Sequence, residues 1–213
     1  MQSVYTQWEN APAHVVFMRD ITLQKKAEAR IEQLNAMLHA VRRVNQIIVN
    51  ETDRQTLIDQ TSVALREQLH DYYTWIVLVD GEQRIQHFAI ASDVPAQQNL
   101  RARFGRNELP TCARKALQAN GPMLIDNLGI DCQDCPLEDN YHSHAAISQR
   151  IAFEDRTYGV ITVSLPNEHA NDPEVQALFG ELAGDLGLGL NKIETTEAML
   201  LSQEALAESR RTL

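Results

Sequence analysis

The chain lacks any run of about 18 apolar residues, the length that spans a bilayer as a helix, so no transmembrane helix is expected. Met1-Gln2-Ser3 opens a polar segment without a hydrophobic signal core, which argues against secretion. There are only three cysteines in 213 residues, and three cannot all pair within one chain. That count fits reduced thiols in a cytoplasm, or a metal site. Positive charge is scarce, with 19 Lys and Arg against 29 Asp and Glu and a net charge of −10. Nonspecific nucleic-acid binding needs a basic surface, so that class is set aside. A small anionic ligand is not set aside, because a local basic pocket can exist on an acidic protein. No Ser-His-Asp order, phosphate loop or dinucleotide fingerprint occurs, so nothing favours an enzyme. What is present is 44% apolar residues, enough to pack one large domain or one medium domain with extensions.

The clearest stretch is Arg156 to Ser164, where Tyr158, Val160, Ile161 and Val163 supply aromatic and β-branched residues in a strand pattern. Glu154-Asp155 is a turn, and Ala146 to Phe153 reads as the partner strand of a hairpin. Gly159, inside the second strand, marks a bulge or a close backbone approach. Pro166 ends the run. Asn171 or Asp172 then caps a long helix with Pro173 at its first position. Gly180, Gly184, Gly187 and Gly189 each cost that helix about 1 kcal/mol relative to Ala. Their presence implies close approach of another helix or of the sheet. From Asn191 onward the helix turns polar, and it ends without a stop signal.

Upstream, a helix is predicted from Leu23 to about Glu51, capped by Asp20 or Thr22. Ile31, Leu34, Leu38, Val41 and Ile48 fall on a 3-4 spacing, with Asn45 at the remaining heptad position. Met37, Val44 and Ile47 widen the stripe. One Asn in such a seam is what a register-specifying parallel coiled coil uses. The alternative is a helix packed on its own domain, and part of the stripe must do that as well. Thr52 or Asp53 caps a second helix, from Asp53 to about Gln68. Tyr73 to Val79 is almost continuously apolar, as a central strand covered on both faces would be. Asp80-Gly81-Glu82-Gln83 is a turn and Arg84 to Ala91 the return strand. Ala96 to Phe104 and Thr111 to Ala119 read as helices, and Pro122 to Asn127 as a strand. Leu128 to His144 is a long loop. This order predicts the α+β class: an antiparallel sheet with helices on one face and a ligand loop on the other.

The loop holds Cys132-Gln133-Asp134-Cys135 with His142 and His144 beyond it, and Cys112 lies upstream at a helix start. C-x2-C spacing lets two thiolates reach one tetrahedral metal, with Cys112 as a third donor and His142, His144 or an exogenous ligand as the fourth. Cys112 near a helix N-terminus should have a lowered pKa. Three readings stay open: a zinc or iron site, a redox pair at Cys132 and Cys135, or cysteines that pack and anchor the loop. A haem attachment motif is absent, because Pro136 follows Cys135. Trp75, Phe88, Tyr141 and Tyr158 are candidates to line a pocket, although residues of this kind are more often ordinary core.

Tyr158-Gly159-Val160-Ile161-Thr162-Val163, followed by Asp172-Pro173-Glu174-Val175 and Leu178 to Asp185, resembles the hairpin-then-helix ending of the GAF family of small-molecule sensor domains. The resemblance covers about residues 36 to 195. Val16 to Glu28, around Arg19-Asp20-Ile21-Thr22, is similar to the closing strand of a PAS domain running into its exit helix. The implied layout is a remnant of an upstream PAS domain at 1–22, a dimerisation helix at 23–51, a GAF domain at 52–195 and a signalling helix at 196–213. The resemblance implies a cytoplasmic, non-enzymatic sensor of a signalling protein such as a histidine kinase. It would be a homodimer that binds a small ligand or metal and signals to an output domain. The competing expectation is a thiol-based enzyme of the GAF-like methionine sulfoxide reductase type, with Cys112, Cys132 and Cys135 as its catalytic set.

Overall fold

The computed structural model describes residues 2–8, 11–17, 19–69, 73–92, 97–126, 135–137 and 144–211. The chain divides into two units, Met1–Asn35 and Ala36–Leu213. The first unit opens with strands β1 (Gln2–Trp8) and β2 (Ala11–Phe17), antiparallel from Gln2 opposite Phe17 to Trp8 opposite Ala11. In sequence, residues 1 to 13 are mixed and contain Pro12, and only His14 to Met18 reads as a short strand-like run, so β1 and the start of β2 are additions. In a two-stranded sheet both strands are edges, where a proline is tolerated. Helix α1 (Thr22–Asn50) follows, and the Asp20 carboxylate accepts the Thr22 N–H at 2.8 Å.

The second unit is built on five antiparallel strands: β3 (Thr74–Val79), β4 (Ile85–Ala91), β5 (Met123–Ile125), β6 (His144–Phe153) and β7 (Arg156–Pro166). Their order across the sheet is β4-β3-β7-β6-β5. Strand β3 therefore lies between two neighbours, and all six of its residues are buried, as its apolar run required. The helices are α2 (Arg54–Leu69), α3 (Gln97–Gly105), α4 (Thr111–Gln118), the short α5 (Asn167–Ala170) and α6 (Pro173–Arg211). Asp53 caps α2 by accepting the Thr56 N–H at 2.7 Å, and Asp172 caps α6 by accepting the Glu174 N–H at 3.0 Å. The α+β class stands. Helices α3 and α4 add a layer on the face that the sequence assigned to the loop alone. Among the described residues no helix is long and apolar enough to cross a membrane.

The pleat sorts the core into two halves. Trp75, Val77, Val79 and Val160 pack with Leu100 and Phe104 of α3 and with Cys112, Ala113 and Ala116 of α4. The alternate residues Ile76, Leu78, Ile161 and Val163 are equally buried and point the other way. Helices α2 and α6 pack on the sheet as well. On α1 the buried residues are Met37, Ala40, Val44, Ile47 and Ile48, whereas Ile31 and Leu38 are exposed.

Two glycines mark the closest approaches. A Cβ on Gly159 would lie 2.0 Å from the Val77 carbonyl oxygen, which keeps β7 flush against β3. A Cβ on Gly187 would lie 2.3 Å from the Ala152 carbonyl oxygen, which seats α6 directly on the sheet. Neither has a positive φ, so space and not backbone conformation demands glycine there.

Candidate functional site

The α3/α4 face of the sheet carries most of the described candidate residues. Trp75 is 2% exposed, and its ring meets Phe104 at 5.6 Å between centroids. Phe88, on β4, meets the same Phe104 ring at 5.4 Å. The three rings form one aromatic wall, each pair tilted in the manner favoured by ring quadrupoles. Cys112 is buried one residue into α4, within the same cluster. Cys135 is half-buried and packs against that cluster, next to the fully buried Leu137. Two of the three cysteines are therefore gathered on one face. His144 begins β6, opposite Pro166, and is half-buried. Tyr141, Cys132 and His142 lie outside the described residues. Among the described residues no group of three or more His, Cys, Asp or Glu could hold a metal.

The floor beneath the wall is polar. Ser148 and Thr162 stand opposite each other on β6 and β7 and share a hydrogen bond of 2.6 Å, both buried. The Ser164 hydroxyl accepts the Tyr73 N–H at 3.1 Å, tying the start of β3 to β7. The face thus combines aromatic rings, two thiols and buried hydroxyls.

Tyr158 is not brought together with Trp75 and Phe88. The β6–β7 register jumps between Ile151 and Ala152, which leaves Tyr158 as the extra residue of a bulge. The bulge turns its ring to the α6 side, where the phenol reaches Asn191 Oδ1 at 3.0 Å and Glu194 Oε2 at 3.1 Å. Arg156 stacks over the ring, 5.3 Å from its centroid, and its guanidinium ion-pairs with Glu194. Arg54, at the start of α2, pairs with Glu197 at 2.7 Å. Lys192 donates to the Val49 carbonyl at the C-terminal end of α1, at 3.2 Å. These bonds form a clamp at the place where α6 leaves the sheet. The sequence reading missed it, and the single signal available was Gly159, the marker of the bulge.

Burial pushes the Tyr158 phenol above its ordinary range, and the bond to Glu194 and that carboxylate's charge push it further. A raised tyrosine stabilises the fold fully below the unfolded value of about 10 and loses that contribution as pH climbs through the folded value. Denaturant titrations on either side of that pH should show an alkaline loss of stability that is smaller in Tyr158→Phe. An equal loss in the variant would place the titration on other groups.

The profile of the GAF domain matches residues 53–190, and the chain belongs to the GAF family. Among solved structures it is similar to the GAF domain of a Coxiella burnetii phosphoenolpyruvate-protein phosphotransferase, with a TM-score of 0.56 at 14% identity over 78% of this chain and 98% of that one. It is also similar to the free methionine-R-sulfoxide reductase of Neisseria meningitidis in complex with its substrate (TM-score 0.54, 15% identity, 75% of this chain and 91% of that one). A third is the A. aeolicus GAF domain in an inactive state (TM-score 0.53, 14% identity, 73% and 96%). At such identities the likeness concerns the fold. No curated protein matches the chain in sequence.

Proposed function

We propose that this chain is the sensory module of a cytoplasmic signal-transduction protein. It binds a small ligand or metal on the α3/α4 face and signals through α1 and α6 of a homodimer to an output domain such as a histidine kinase. The observation that carries this reading is the course of α6. The helix lies on the sheet up to Ile193, passes through the clamp, and continues to Arg211 with residues 195–210 all exposed. Within that extension Met199, Leu200, Leu201 and Leu206 are 55–66% exposed. Met199 and Leu206 repeat at heptad spacing, with Leu200 beside Met199, which suits a second helix as partner. On α1 the half-buried Asn45 lies between exposed Leu38 and buried Ile48 on the heptad stripe. Its Oδ1 is buried with no partner among the described residues. One such polar position on the stripe would fix the register of a paired helix. Ligand binding would act by favouring one of two helix arrangements, which requires different affinity for the two. Native mass spectrometry and elemental analysis of anaerobically purified chain, beside Cys112→Ser, test the ligand step. One ligand or metal per chain that is lost or weakened in the variant supports it, and identical spectra of bare chain in both argue against it.

A second reading is favoured by the gathering of Cys112 and Cys135 on one face and by the likeness to a methionine sulfoxide reductase. In it, two thiols would be oxidised to a disulfide while the sulfoxide oxygen leaves as water. Turnover of free methionine sulfoxide with dithiothreitol, abolished by Cys112→Ser, would establish that reading. No turnover would remove it.

A further inference from the structure

A cavity of about 790 Å³ lies at the end of the sheet where the β3–β4 and β6–β7 turns meet. Arg54, Arg84, Arg156 and Tyr158 line it, along with Asp80 and Asp155. Its lining holds three guanidiniums and two carboxylates, and Glu197, Glu82 and Glu194 pair with Arg54, Arg84 and Arg156 from beside it. The volume suits a small molecule. None of those six lining residues belongs to the aromatic and thiol cluster of the α3/α4 face.

We propose that this cavity binds a small phosphate-type polyanion, and that the ligand competes with Glu194 and Glu197 for Arg156 and Arg54. Four observations lead there. Arg54 commits Nη2 to Glu197 at 2.7 Å, and its side chain is 28% exposed. A guanidinium carries five donors in a fork that fits an oxyanion, so both arginines hold donors in reserve. Arg156 is 59% exposed and is held over the Tyr158 ring, so its position is set while its outer edge stays open to solvent. Finally, the carboxylates that now hold Arg54 and Arg156 are themselves part-exposed monoanions, at 48% for Glu197 and 24% for Glu194. Ion pairs this open are weak, and a polyanion that displaces a carboxylate from a guanidinium gains more Coulomb energy there than the single charge it replaces. Arg84 pairs with Asp80 at 2.9 Å and with Glu82 at 3.3 Å, is 61% exposed and lines the same cavity.

The consequence is mechanical. Arg156 and Arg54 are two of the links that hold α6 where it leaves the sheet. A ligand that draws them away leaves Tyr158 and Lys192 as the remaining links, and the exit of α6 loosens. Binding at this cavity is independent of the α3/α4 reading. Its meaning as regulation rests on α6 being an output helix.

Calorimetric titration of the whole chain with pyrophosphate as probe tests the site, with hydrogen exchange of α6 read on the same samples. The expected result is saturable binding of one pyrophosphate per chain. Arg156→Gln and Arg84→Gln should each weaken it about tenfold, as loss of one charge-assisted contact does. Glu194→Gln should tighten it, because it removes a competitor. Saturation should speed exchange over residues 190–197. All three side chains sit at or near the surface, so their replacement leaves the core intact. Absence of saturable binding would overturn the proposal, as would affinity unchanged in Arg84→Gln or weakened in Glu194→Gln. Pyrophosphate binding to a chain that is monomeric would keep the site and remove the output reading.

Discussion

Gly187→Ala lowers the stability of the domain by at least about 3 kcal/mol, while Gly184→Ala raises it by about 0.5–1 kcal/mol. Both positions lie on α6, and both replacements carry the same gain in helix propensity. They differ only in what the new methyl meets. At Gly187 it would stand 2.3 Å from the Ala152 carbonyl oxygen and 2.6 Å from its carbon, both backbone atoms of β6. A backbone inside a paired sheet cannot retreat without breaking its ladder, so α6 must lift off. At Gly184 nothing described lies within 4 Å. Gly189 is intermediate, since its methyl would meet Ile48 Cγ2 at 2.7 Å, the mobile end of a side chain. Chemical denaturation of the three variants checks the order. A Gly187→Ala protein as stable as the parent would mean that α6 does not sit on β6 as described.

Trp75→Ala is expected to cost about 3–5 kcal/mol, a fall in Tm of roughly 10 °C for a chain of this size. Trp75 is 2% exposed and packs against Phe104, so its removal leaves a cavity that the tilted rings cannot close. Trp75→Phe keeps an aromatic partner for Phe104 and should cost much less. A residue that merely lined an open pocket would behave differently, with little loss of stability in either variant. Thermal melts of the two proteins therefore separate a structural wall from an open lining.

These cases also indicate what could be read from the chain and what could not. The buried run of β3, the hairpin of β6 and β7 and the caps at Asp53 and Asp172 follow from local chemistry, and each was legible. So was the meaning of Gly159 and Gly187, whereas the same reading at Gly184 meets nothing described within 4 Å and at Gly180 only ordinary contact. The bulge at Tyr158 was not. Alternation along β7 places Tyr158 on the same side as Val160, and one extra residue reverses that side. The α1 stripe was visible as a period, but period alone does not name the partner. Met37, Val44 and Ile47 turned out to face the domain, while Ile31 and Leu38 point to solvent. The clamp of Arg54, Arg156, Glu194 and Glu197 joins residues as much as 143 apart, beyond the reach of any local pattern.

Sedimentation velocity of the whole chain, beside the double variant Leu200→Glu and Leu206→Glu, tests the proposed signalling dimer most directly. The account predicts a dimer for the parent chain. It predicts a monomer for the variant with the melting of the domain core unchanged, because both side chains lie on the exposed extension of α6. A parent chain that stays monomeric at high micromolar concentration, or a variant that remains dimeric, would contradict it.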